Sequence, residues 1–271
     1  MCELDGRKMW LLFVLVLMST PFHSTVGYGQ SDAVSLMAIS LWAVVASQSG
    51  RGLLLGIAYE KYSFPPVLVV FLLLRKRWKL LIFSLFPPVL GFLFVDPWLR
   101  TSWQTLALEP FRTAVQGGED PGTANIIVIT VKILQHVLHA PPWTRILPYG
   151  LSILLACVIA AYFAKNGSDT DGRIILACTL GASLACFPHL SYDWLGLIFC
   201  VAIAIKSTPS NARNMVFLLA AYFWYLERIP YIFRRDFHLY ILIPNCLLLL
   251  WLIAATYQLR NNTKWSSSWE I

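Results

Sequence analysis

The sequence predicts an all-α polytopic integral membrane protein of about eight spans plus one broken or re-entrant helix pair. Three observations predict it. Of 271 residues, 58% are hydrophobic and only 13% are charged, against about 25% charged in an ordinary soluble domain. The mean hydropathy is +0.64, more apolar surface than a core of this size hides. Aromatic residues reach 14%, with 11 Trp and 11 Tyr, the side chains that collect at membrane–water interfaces. These figures exclude a disordered chain, a coiled coil and a nucleic-acid-binding domain, and argue against a soluble enzyme. The net charge of +7 is read as cytoplasmic loop anchoring. The six Cys form no CxxC pair and are read as small buried hydrophobes rather than a disulfide or metal framework.

The elements follow in order. Met9 to Thr20, after Arg7 and Lys8, is a short first membrane helix, and Ala33 to Ala46 is a second. A polar break, Ser47 to Gly52, leads into two short apolar halves, Leu53 to Ala58 and Val67 to Leu74, separated by Glu60, Lys61 and Pro65-Pro66. Each half is far below the roughly 20 residues needed to span, and the prolines break the helix. Arg51 precedes the pair and Arg75-Lys76-Arg77 with Lys79 follows it, so a re-entrant hairpin puts both flanks in the cytoplasm. Full crossing would invert everything after it.

Leu80 to Val95 spans outward, kinked at Pro87-Pro88. Residues 96–145 form an outer amphipathic loop. It carries one helix from Trp98 to Ala114 and another from Ala124 to His139, the latter with Ile126, Ile129, Ile133 and Val137 on its apolar face. Ile146 to Ala164, Ile174 to Phe187, Trp194 to Ile205, Met215 to Tyr225 and Leu239 to Tyr257 complete the spans. Ala177, Gly181 and Ala185 give one helix a small face for close packing. The whole chain, 1–271, is one transmembrane domain with a cytoplasmic tail at 258–271. Thirteen of the 21 Lys and Arg (7, 8, 51, 75, 76, 77, 79, 165, 173, 206, 213, 260 and 264) then lie on the cytoplasmic side.

A few polar residues are too expensive to be filler. A Lys at membrane depth costs about 2.5–3.5 kcal/mol on insertion scales, so Lys61 either holds a phosphate in a cavity, pairs with Glu60 or snorkels. His189 and Asp193, four apart, fall on one face of a helical turn, fit for sugar hydroxyls or acid–base work. The alternative is an interfacial loop anchored by Trp194. Arg228, Arg234 and Arg235 break the positive-inside pattern, and an Arg cluster there fits a phosphate or pyrophosphate; the alternative is a different span boundary near Pro230. His136 and His139 have ligand spacing but no completing acid or Cys, so no metal is expected. No P-loop, serine-hydrolase or zinc-protease motif occurs.

Read together, Gly29-Gln30, Gly50-Arg51, Gly52-Leu-Leu-Leu-Gly56-Ile-Ala58, Lys61 with prolines after it, Arg75-Lys76-Arg77-Trp78, and Pro188-His189 with Tyr192-Asp193 resemble glycosyltransferase family 87 over most of residues 21 to 260. These are polyprenyl-phosphate-sugar-dependent, mannosyltransferase-like proteins of the GT-C fold. The resemblance implies a GT-C-like helix arrangement in the plasma (inner) membrane. It implies hexosyl or mannosyl transfer at the outer face, from a polyprenyl phosphate sugar to a lipid-linked or envelope acceptor, without a cofactor. Phosphate contacts would come from Lys61, Arg234 and Arg235, and sugar or acceptor contacts from His189, Asp193 and Gln30. The pattern departs at Tyr62-Ser63-Phe64, which separate Lys61 from Pro65. It departs again in the first outer loop, where only Asp32 is acidic. Asp32 and Asp193 are the candidates for a catalytic base. The resemblance therefore implies the carboxy-terminal part of such an enzyme, or a shortened relative, with little transfer by this chain alone. A non-catalytic subunit pairing with a complete enzyme, and a small transporter or lipid flippase, remain as alternatives.

Overall fold

The computed structural model describes residues 6–19, 21–22, 32–59, 61, 64–99, 125–134, 138–139, 147–167, 171–187, 191–226, 239–261 and 263. Among these every regular element is helical and there is no strand. The first elements are α1 (Gly6–Leu17) and α2 (Asp32–Trp42). α3 (Gln48–Ala58) begins inside the stretch expected to be a polar break, because the Ser47 hydroxyl accepts from the Gly50 N–H at 3.1 Å and so supplies an N-cap. α4 (Pro66–Leu74) has Pro66 as its first residue, a position where the missing N–H costs nothing.

The expected outward span from Leu80 to Val95 is two helices, α5 (Trp78–Ser84) and α6 (Phe86–Leu99), separated at Leu85. The consecutive prolines 87 and 88 cannot donate back into the preceding turn. α7 (Ile126–Lys132) is capped by Asn125, which accepts from the Val128 N–H at 3.0 Å. Next come α8 (Leu147–Asn166) and α9 (Gly172–Cys186), the latter capped by Asp171. A 3₁₀ turn, Ser191–Leu197, runs into α10 (Ile198–Lys206). α11 (Asn211–Ala221) continues as one π turn, Tyr222–Leu226, and α12 (Leu239–Gln258) closes the bundle.

α9 is the axis. All its residues except Arg173 are buried, and α4, α8, α10 and α12 surround it. The small face works as expected: a Cβ on Gly181 would lie 3.1 Å from Ile253 of α12. The Ser152 hydroxyl of α8 donates to the Cys186 carbonyl at the far end of α9.

α3 and α4 form a hairpin. Arg51, in the first turn of α3, and Arg77, just after α4, are close enough to repel each other. α5 then runs beside α3 in the same direction. A Cβ on Gly52 would strike the Leu80 carbonyl oxygen, and one on Gly56 the Ser84 carbonyl oxygen, so only glycine permits this approach. The same end of the bundle gathers other termini. Arg75 Nη1 donates to the Ala164 carbonyl at 3.5 Å, and Tyr257 Oη to the Asn166 carbonyl at 2.9 Å. The Ser207 and Thr263 hydroxyls are 2.5 Å apart. Arg51, Arg75, Arg77, Lys165, Lys206 and Arg260 thus mark one end, as the charge pattern required.

Two expectations change. By length and composition, two helices among the described residues suffice to cross a membrane, Leu147–Asn166 and Leu242–Asn261. The other apolar segments are divided into shorter helices by turns and prolines. α7 does not follow the face expected of it: Ile127, Val128, Ile129 and Val131 are the buried residues, with Val128 and Ile129 packed on Leu242 and Cys246 of α12. Of the expected apolar face Ile129 is buried and Ile126 and Ile133 are half-buried, while Val137 lies outside the described residues; burial spreads beyond one face because α7 lies against α8 and α12 on more than one side. The expected helix from Trp98 to Ala114 falls mostly outside the described residues. Of the Cys expected to be buried, Cys178, Cys186, Cys200 and Cys246 are buried free thiols and Cys157 is a half-buried one; Cys2 lies outside the described residues.

Candidate functional site

The hairpin's tip is where the backbone runs out of helix. After α3 the Lys61 N–H donates to the Ala58 carbonyl at 3.1 Å, and the Phe64 N–H to the Lys61 carbonyl at 3.2 Å. This pair of tight turns aims the Lys61 side chain into the bundle. At the start of α4 the Val67 N–H, orphaned by the break, is taken up by the Ser183 hydroxyl of α9 at 3.0 Å. That hydroxyl itself donates to the Thr179 carbonyl at 3.0 Å. α9 thereby fixes the tip.

Against this tip sits the 3₁₀ turn. Asp193, in its first turn, meets Lys61: Nζ to Oδ1 is 2.9 Å, with the two side chains 9% and 1% exposed. The approach is made close by Gly196, where a Cβ would stand 2.8 Å from the fully buried Phe64 ring. Trp194, also fully buried, stacks on Phe223 at 4.4 Å with a 31° tilt. Its carbonyl accepts from Trp224 Nε1 at 2.9 Å. The turn bearing Asp193 is therefore held on one side by the hairpin and on the other by the π turn after α11.

Two residues singled out separately in the sequence are thus one unit. Lys61 pairs with Asp193, a partner not foreseen. The signal was present: two opposite charges in apolar surroundings, each too costly to bury alone, have reason to find each other. Ser183 and Gly196 were missed. A serine within a buried helix and a glycine beside Trp194 carry no pattern until the tertiary approach is known. Asp32 is the first residue of α2, with its side chain outside the described part. Gln30, His189, Arg234 and Arg235 lie outside the described residues, as do Glu60 and Arg228. Among the described residues no cluster of His, Cys, Asp and Glu is suited to a metal ion.

Chemically, a buried ammonium held by a buried carboxylate offers a fixed cation at the end of a broken helix pair. Such a cation stabilises an anion that comes within reach, provided the carboxylate yields or shares. The family model for glycosyltransferase family 87 matches residues 3–188. This match begins earlier than the resemblance traced above. It includes Lys61 and the whole hairpin, and it ends before Asp193, Arg234 and Arg235. No curated protein and no solved structure matches the chain.

Proposed function

Because the chain belongs to glycosyltransferase family 87, we propose that it acts in sugar transfer from a polyprenyl phosphate donor to a lipid-linked or envelope acceptor. In this reading it is a multi-pass protein of the plasma (inner) membrane with a GT-C-like arrangement, and the basic end of the bundle faces the cytoplasm.

The membrane part of the reading is supported by surface chemistry. Only 28% of the apolar window of α8 is buried. Leu151, Ile153, Leu154, Val158 and Tyr162 are all exposed, as are Ile82, Leu85, Phe86, Val89 and Leu93 on α5, α6 and the turn between them. A soluble protein buries such helices, whereas lipid solvates them. Eleven residues of α3 rise about 16 Å, about half the roughly 30 Å hydrocarbon core, so Lys61 lies near mid-depth.

The observation that carries the site is the Lys61–Asp193 pair. In transfer, an acceptor hydroxyl oxygen bonds to the anomeric carbon, and the bond from that carbon to the carrier phosphate oxygen breaks. The electron pair leaves on the phosphate, and a base takes the hydroxyl proton. Lys61 supplies positive charge for the departing phosphate, with Arg234 and Arg235 as further phosphate contacts. Asp193 holds the Lys61 side chain in place. His189, four residues before it, and Gln30 meet the sugar or acceptor. Asp32 is the preferred base, since one Asp193 oxygen is already engaged by Lys61. The test is sugar transfer from a polyprenyl phosphate donor in proteoliposomes: Lys61→Ala and His189→Ala together should abolish it, and full activity of that double variant would reject these assignments.

One observation favours a second reading, that of a non-catalytic subunit. Lys61 is already ion-paired and only 9% exposed at its side chain, a sealed arrangement that serves architecture as well as chemistry. Transfer that appears only when a second glycosyltransferase chain is co-reconstituted, and survives Lys61→Ala, would select it.

A further inference from the structure

α4 ends in a turn that a glycine would normally make. The Arg77 N–H donates to the Leu72 carbonyl and the Lys76 N–H to the Leu73 carbonyl, both at 3.0 Å. This is the pair of bonds that closes a helix through a left-handed residue. The left-handed residue is Lys76, with φ 55°. A Cβ is disfavoured there, yet the position carries a charge that glycine would lack. The turn reverses the chain within three residues, so Arg75, Lys76, Arg77 and Lys79 all emerge at one place.

Other cations join them. Arg51 lies close to Arg77, and Arg75 reaches the Ala164 carbonyl, next to exposed Lys165 in the last turn of α8. No Asp or Glu occurs between Lys61 and Val95. Immediately beside the cations stands a collar of exposed apolar side chains: Leu74 at 49%, Trp78 at 56% and Ile82 at 65%. Cations stacked over an apolar collar match the two-part chemistry of a lipid, charged head above acyl chain. A site for free phosphate would need no collar.

We infer that the Arg75–Lys79 turn, with Arg51 and Lys165, is a binding site for the headgroup of an anionic phospholipid. The inference rests on the membrane reading above but not on catalysis, and it concerns the end of the bundle away from Lys61. The two closing backbone bonds hold Lys76 in its left-handed conformation and leave its charge exposed at this place. Each Lys or Arg near an anionic surface strengthens binding about five-fold.

The test titrates short-chain phosphatidylglycerol, phosphatidylcholine of the same chain length, and inorganic phosphate into the detergent-solubilised full chain, with Trp fluorescence and the melting temperature as readouts. Phosphatidylglycerol should bind more tightly than phosphatidylcholine, and more weakly as salt rises. Lys76→Gln with Lys79→Gln should weaken it about 25-fold. Lys76→Gly should weaken it about five-fold while leaving the melting temperature unchanged or higher, which separates lost charge from lost fold. Equal binding of the two lipids, or an unaffected Gln double variant, overturns the site. Competition by inorganic phosphate at matched concentrations overturns the lipid headgroup in favour of free phosphate. The titration is done in detergent, so it reads the site independently of a carbonate wash of the membranes. Release of the chain by that wash would sink the membrane reading alone.

Discussion

The hairpin α3–α4 and the straight helix α8 are both built from apolar residues, and they face opposite surroundings. α4 reads Pro-Val-Leu-Val-Val-Phe-Leu-Leu-Leu, with no polar side chain, and Val67, Leu68, Phe71 and Leu72 are buried against the bundle. α8 contains Ser, Tyr and Lys, yet it shows most of its apolar residues to the outside. Apolarity therefore does not tell which of these two helices is inside; in this pair the interruption does. α8 satisfies its own backbone over 20 residues and can face hydrocarbon. The hairpin leaves the Val67 N–H and the Lys61 charge unsatisfied, so it must sit where α9 and the 3₁₀ turn supply Ser183 and Asp193.

If that contrast is right, the two regions respond differently to substitution. The largest effect is expected at the ion pair. Lys61→Met or Asp193→Leu alone should destabilise by about 3–5 kcal/mol, because the remaining charge is buried without its counter-charge. The two together should recover most of that loss, as measured by denaturation in detergent. Additive losses in the double variant would show that the pair is not a unit. On α8 the comparable insult is Leu154→Arg, which should cost about 2.5–3.5 kcal/mol of membrane insertion. A glycosylation-reporter insertion assay reads it, and unchanged insertion would argue that this face does not meet lipid.

Smaller effects sharpen the comparison. Gly56→Ala should destabilise by about 1–3 kcal/mol, since its Cβ meets the Ser84 carbonyl and Pro87. Gly91→Ala on α6, with nothing within 4 Å, should be neutral or stabilising in the same melting experiment. Ser183→Ala should cost about 1–3 kcal/mol by orphaning the Val67 N–H. Leu154→Ala should stay within about 0.5 kcal/mol in detergent. A larger loss there would mean that α8 packs against something in the solubilised protein.

Most of the helices were legible from composition and breaks. Hydropathy and proline placement located α4, α8, α9 and α12 to within a few residues, and the basic flanks identified the hairpin and its common end. What could not be read was anything decided by approach between distant segments. Lys61 and Asp193 each stood out as costly, but sequence gives no distance between them, and the nearer Glu60 and His189 were the natural partners to weigh. α3 begins ahead of its apolar run because Ser47, one residue of a polar stretch, acts as a cap. The buried side of α7 departs from its apolar stripe because periodicity describes one face, while α8 and α12 cover more than one.

The π turn after α11 sends consecutive rings in different directions. Tyr222 Oη donates to Asn245 Oδ1 on α12 at 2.6 Å, Phe223 lies on Trp194, Trp224 donates to the Trp194 carbonyl, and Tyr225 Oη donates to the Leu15 carbonyl of α1 at 2.6 Å. Helical residues advance by about 100° each. Inserting or deleting one residue here would swing every later ring off its target, so α1, α12 and the turn carrying Asp193 would lose register together. Segment length is thus more constrained than ring identity: Tyr225→Phe gives up one hydroxyl, whereas a single-codon deletion would misalign several junctions at once. In a lineage of such chains, this stretch would accept substitutions while refusing indels.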